Sequence, residues 1–112
     1  MIRYIELNNM ETQYDTLKHS IESLYVSPFK LIIETKHISN VSMYMVTDFA
    51  LFLYRLKQRD PQYLTHTTIH VYSEFIYNLL YNLFTYLSRP IAPVIVLYFE
   101  QDNIKYIKSF YP

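Results

Sequence analysis

The chain has 112 residues, 51% hydrophobic and 18% charged, with ten basic side chains balancing ten acidic ones, and neither cysteine nor glycine. That length fits one domain with a real core, and the apolar content excludes disorder driven by charge repulsion. Zero net charge removes the broad attraction toward nucleic acid or an anionic membrane, and the missing cysteines exclude disulfides, thiolate metal sites and a cysteine nucleophile.

The missing glycine excludes more. Phosphate-cradling loops, dinucleotide fingerprints and the elbow that presents a nucleophilic serine all need backbone that approaches a ligand closely or turns to positive φ. Frequent Tyr, Ile, Phe, Asn and Lys beside scarce Gly and Ala is the bias of an AT-rich genome, as in a large virus or a parasite. The start, MIRYIELNN, lacks the apolar core of a signal peptide, and no run approaches the ~20 apolar residues of a membrane span. A cytoplasmic protein is the expectation, so the NVS triplet at Asn40 is read as a chance match to a glycosylation acceptor.

In chain order, IRYIEL (Ile2 to Leu7) predicts a strand, stopped at Asn8-Asn9, asparagine being the usual substitute for glycine where a turn needs left-handed backbone. TQYDTLKHSIESL spaces Tyr14, Leu17, Ile21 and Leu24 for a helix that ends before Ser27-Pro28. FKLIIET (Phe29 to Thr35) predicts a second strand. From about Met43 to Gln58, Met45, Phe49, Phe52, Leu53 and Leu56 form one helical stripe, with Ser42 as N-cap and Asp60-Pro61 as terminator.

TTIHVYS (Thr67 to Ser73) predicts a third strand and FIYNLLYNLFTYL (Phe75 to Leu87) a third helix, closed by Arg89-Pro90. The near-continuous apolar run PVIVLYF (Pro93 to Phe99) predicts a strand covered on both faces. Asp102 to Phe110 is left between a short helix and a terminal strand. Four successive β-α units therefore predict a single α/β domain over residues 1–112, with a mainly parallel four-stranded sheet packed with helices.

In the third helix, Phe75, Leu79, Leu83 and Leu87 make one row, and Ile76, Leu80 and Phe84 the next, an apolar half expected against the core. The other half carries Tyr77, Tyr81 and Tyr86 with Asn78 and Asn82, where a solvated helix would usually show Lys and Glu. An uncharged Tyr/Asn face resembles the core of a protein interface. Cover by another segment of the chain, such as its C-terminal part, explains it equally well.

Candidates for chemistry are few. His66 and His70 lie four apart in HTTIH, but on a strand that separation is about 13 Å and cannot close on one metal. Glu34 and Glu74 could meet at the carboxyl edge of the sheet for acid-base work. With no nucleophile, phosphate loop or metal beside them, Glu74 is better explained as a charge favoured at a helix N-terminus. No catalytic residue, cofactor or metal is assigned. The basic cluster RLKQR at residues 55–59 offsets a helix C-terminus and gives no nucleic-acid footprint.

The stretches KLIIETKHISNVSMYMVTDFALFLYRLKQ and TTIHVYSEFIYNLLYNLF resemble the STAS domain, the fold of bacterial anti-sigma-factor antagonists, in which an apolar strand leads through a short connector to a serine-bearing helix start. The related CRAL-TRIO lipid-binding core is similar to DPQYLTHTTIHVYSEFI, and the likeness spans roughly Phe29 to Phe99. The STAS phosphoacceptor motif, D-S-S-G, falls here on Ser42, Met43, Tyr44 and Met45, without its aspartate, central serine or glycine. The STAS resemblance implies a small non-enzymatic module that docks another protein or a second copy of itself. The expected contact face is Tyr77, Asn78, Tyr81, Asn82 and Tyr86, with Ser42 to Tyr44 as a second candidate. The CRAL-TRIO resemblance implies the alternative, a small binder of lipid or another apolar ligand.

Overall fold

A computed structural model describes residues 1–112. In chain order it contains β1 (Ile2–Glu6), α1 (Met10–Ser23), β2 (Phe29–Glu34), α2 (Met43–Lys57), β3 (Leu64–Val71), α3 (Glu74–Asn82), a π-helical turn (Leu83–Leu87), β4 (Val94–Glu100) and β5 (Asn103–Phe110). Each α-helix starts on a capping side chain, because the first amides of a helix have no partner within it. Asn9 accepts from the N–H groups of Glu11 and Thr12, Ser42 from Met45 at 3.2 Å and Ser73 from Ile76 at 3.1 Å. Asn9 is extended, with φ −149°, so the Asn8-Asn9 pair is a helix cap and not the left-handed turn its sequence suggests.

The strands lie in sequence order, β1-β2-β3-β4-β5; the first four are parallel and β5 runs antiparallel to β4. The sheet thus has five strands where four were expected, because Asn103–Phe110 folds back as a hairpin. The two-residue turn holds Gln101 at φ 52° and Asp102 at φ 66°. Positive φ at both central residues is the turn geometry that matches the twist of paired strands, and here it is met without glycine.

Sequential strand order has a strong consequence. When every crossover steps in the same direction with the same hand, all connecting helices fall on one side of the sheet. Accordingly α1, α2 and α3 meet over a single face: Tyr14, Leu17, Met45, Phe49, Leu79 and Leu80 converge on Ile33 and Ile69. Tyr14 ties α1 to α2 by donating to the Asp48 carboxylate, which also receives Lys18 at 2.9 Å.

One core of 23 buried hydrophobic residues lies between the helices and this face. Strand burial alternates: Phe29, Leu31 and Ile33 are buried while Lys30 is exposed, and Val94, Val96 and Tyr98 are buried while Ile95 is exposed. PVIVLYF is therefore covered on one face only, contrary to its apolar run. No helix is long and apolar enough to cross a membrane.

The apolar half of the third helix departs from its expected rows at both ends. Ser88 N–H bonds the Leu83 carbonyl at 2.8 Å, five residues back, which widens the last turn. In a regular helix Leu87 would follow Leu83 into the core. The π turn rotates it outward and leaves it exposed, while Leu83 and Phe84 stay buried. Phe75, in the first turn, is also exposed, so the buried stripe runs from Ile76 to Phe84.

Candidate functional site

The sheet face opposite the helices has no layer over it, and strand register arranges its side chains in rows. Tyr4, Ile32, Thr68 and Ile95 stand side by side across β1 to β4. Toward the carboxyl ends, Glu6, Glu34, His70, Leu97 and Ile107 form a second row across all five strands. Toward the amino ends, Ile2, Lys30 and His66 form a third. Beyond the acidic row, Phe99 pairs with Ile104. Ile2, Tyr4, Ile95, Ile104 and Ile107 are all exposed, the last at 65%. Ile2 and Tyr4 lie on β1 and the other three on β4 and β5, with half-buried Ile32 and Leu97 among the polar side chains between them. So much exposed apolar surface on one uncovered face makes it the candidate binding surface.

Within the second row a polar cluster is fixed in place. One Glu34 oxygen, Oε2, lies 3.0 Å from His70 Nδ1 and accepts from the Tyr72 hydroxyl at 3.0 Å. Its other oxygen is buried without a hydrogen-bond partner. Phe99 closes the cluster, meeting the His70 ring edge-on and stacking on Tyr72, each at 5.3 Å. Burial, then the hydrogen bond and charge of Glu34, push the Tyr72 phenol up to about 12. Tyr4 is also raised, by desolvation first and then by the Glu34 and Glu6 carboxylates. The cluster's one hydroxyl is thus a phenol held protonated and a poor nucleophile at neutral pH, fixed by its hydrogen bond to Glu34.

Other residues singled out in the sequence are distributed differently. Tyr77 packs against Tyr98 at 5.5 Å and Tyr106 at 5.9 Å, and Tyr81 meets Phe110 edge-on at 5.8 Å. The C-terminal strand β5 with Tyr98 therefore flanks this row, the intramolecular cover that the sequence left open as one explanation. Tyr77 is half-buried, while Asn78, Tyr81, Asn82 and Tyr86 remain exposed. Ser42 is engaged as the α2 cap, and Tyr44 beside it is 76% exposed. Glu34 and Glu74 do not form a pair: Glu34 is bound by His70 and Tyr72, whereas Glu74 borders a shallow groove with Asn78, Tyr98 and Lys105. His66 and His70 both lie on β3, as the strand reading requires.

Under the helices, a cavity of about 100 Å³ is lined by hydrophobic residues from all three helices, among them Tyr14, Phe49 and Leu80. Pockets for drug-sized ligands occupy roughly 300–1,000 Å³, so this space admits only a few carbon atoms unless the helices part. The sequence reading missed the Glu34, His70 and Tyr72 cluster and its Phe99 lid. Their alignment depends on the parallel register of β2, β3 and β4, for which the only advance signal was the β-branched and aromatic content of each strand. No family model, curated protein or solved structure matches the chain.

Proposed function

We propose that this chain is a non-enzymatic protein-interaction module that docks through the uncovered face of its sheet, the kind of role the STAS resemblance implies. The supporting observation is the row structure of that face: five exposed large apolar side chains, Ile2, Tyr4, Ile95, Ile104 and Ile107, lie around a pinned Glu34 cluster with no helix above them. The Tyr/Asn face of the third helix becomes a secondary surface, since Tyr77 and Tyr81 already contact β5 and its neighbour.

The test is site-specific photocrosslinking in an extract of the native host, with a benzophenone side chain at Tyr4 on the sheet face or at Tyr44 or Tyr86 on the helix side. Protein adducts concentrated at Tyr4 are expected. Adducts at Tyr44 or Tyr86 alone would move the docking site to the helices and sink the sheet-face reading.

A second reading, a small apolar-ligand binder of the CRAL-TRIO kind, draws support from the hydrophobic cavity between helices and sheet. It predicts a co-purifying lipid or other apolar mass in native mass spectrometry.

A further inference from the structure

The uncovered face carries opposite charges at its two ends. Lys30 and His66 stand in the row at the amino ends of the strands; Glu6 and Glu34 stand in the row at the carboxyl ends, with Tyr4, Ile32, Thr68 and Ile95 between. Lys30 and Glu6 are both exposed, and neither takes part in an ion pair within the chain. We infer that the occupant of this face is a second copy of the chain, stacked sheet to sheet about a two-fold axis that lies between the sheets and runs across the strands. The inference rests on the sheet face being the docking surface and names its partner.

That axis places each strand over its own counterpart in the opposite direction, so the central apolar row packs on itself. Lys30 of each copy then lies over Glu34 of the other, with Glu6 one strand away. Face-to-face sheets pack about 10 Å apart, a gap that a lysine and a glutamate side chain span together. The other two-fold, with its axis along the strands, sets β1 over β5. It would press Glu6 onto Ile107 and Glu34 onto Leu97 with no lysine or arginine in that row. The first axis sets only Glu6 over an apolar side chain, Ile2 of the other copy, with Lys30 of that copy on the next strand. Charge complementarity therefore selects the first axis.

The face measures about 24 Å across five strands and about 20 Å along them, roughly 500 Å² per copy. Two copies thus bury on the order of 1,000 Å², the threshold for a specific contact and the range of weak, reversible dimers. Interfaces at this lower end of the size range are commonly weak and transient, so micromolar concentrations are the range to examine.

Sedimentation equilibrium of the full chain between about 1 and 200 µM, bracketing that range, tests the inference. The wild type is expected to pass from chain mass to twice that mass. Lys30→Glu and Glu6→Lys should each weaken dimerisation at least tenfold, because the first sets each introduced carboxylate over Glu34 and beside Glu6 of the other copy and the second sets each introduced ammonium beside Lys30. The two variants mixed should associate more tightly than Lys30→Glu alone, since the carboxylate introduced at position 30 of one chain then neighbours the ammonium introduced at position 6 of the other. The remaining Lys30 meets Glu34 and the remaining Glu6, leaving one like-charge contact, the introduced carboxylate over Glu34. A wild type that stays at chain mass throughout overturns the second copy as occupant, while protein adducts at Tyr4 in the extract would leave the docking face standing with another partner. Dimerisation unaffected by either charge change would place self-association on a different surface and equally overturn the inference. If neither the dimer nor a Tyr4 adduct forms, both readings fall.

Discussion

If one side of the sheet is core and the other is open, two alanine substitutions of similar size must differ sharply in cost. Leu31 points into the helix layer and is 3% exposed; Ile107 stands on the open face and is 65% exposed. Truncating Leu31 removes a fully buried aliphatic side chain and leaves a void in a packed core, a loss of about 3 kcal/mol within the usual range of roughly 2–5. Ile107 keeps only about a third of its surface from water, leaves no void and should cost about 0.5–1 kcal/mol. Urea unfolding followed by circular dichroism, at a protein concentration well below any dimer dissociation constant, measures both. The expected difference is at least about 2 kcal/mol, read as a shift in midpoint at constant slope. Equal losses would mean that something within the chain covers the outer face, and the one-sided layering would be wrong.

Three further outcomes follow from particular contacts. Asp102 holds a left-handed backbone without being glycine, so Asp102→Gly should stabilise the chain by about 0.5 kcal/mol, the relief of strain being partly offset by entropy; destabilisation in a thermal melt would contradict the turn. The Tyr14 hydroxyl and then the Lys18 ammonium hold the Asp48 carboxyl below its ordinary range, so its contribution is present above about pH 4 and is lost as pH falls through the lowered value. Asp48→Asn should therefore be less stable than wild type at pH 7, with a gap that closes under acid; a constant gap from pH 7 to about pH 2 would refute that coupling. Tyr72 is raised, so its contribution is intact below about pH 10 and is lost as pH rises toward 12. The stability advantage of wild type over Tyr72→Phe should shrink across that window, and an unchanged advantage would detach Tyr72 from Glu34.

Elements governed by local physics were legible in the sequence. Ser42 as a cap, the β-branched run after Pro28 and the stripe of Phe52, Leu53 and Leu56 depend on neighbours a few residues away, and each lies where its pattern put it. The uncovered face was not legible, because Ile95, Leu97 and Phe99 look the same in a strand buried on both sides. What decides between the cases is strand order, and no single strand records it. The Tyr77 and Tyr81 face was ambiguous for a related reason. Its cover comes from β5, whose polar turn QDN and alternating NIKYIKSF fitted a helix or a strand. At Leu87 the helical period itself failed, since a hydrogen bond to the fifth residue back leaves no mark in apolar spacing.

A parallel sheet with helices on one side only is an incomplete solution to burial, because crossover strands are usually rich in apolar residues on both faces. In this chain the open side keeps that richness: β4 alone presents Ile95, Leu97 and Phe99 to it, and β5 adds Ile104 and Ile107. Covering about 1,000 Å² that is roughly 60% apolar contributes about 15 kcal/mol in gross terms, at about 25 cal/mol per Å². Association itself consumes an estimated 4–15 kcal/mol, so the surplus is modest and sensitive to a few contacts. In that regime a pair of charges such as Lys30 and Glu6 governs which partner is accepted and in which direction it lies, more than whether greasy surfaces adhere. If the face docks a partner as proposed, the apolar rows supply the adhesion. The charges at their two ends would then favour stacking with reversed strands over parallel ones.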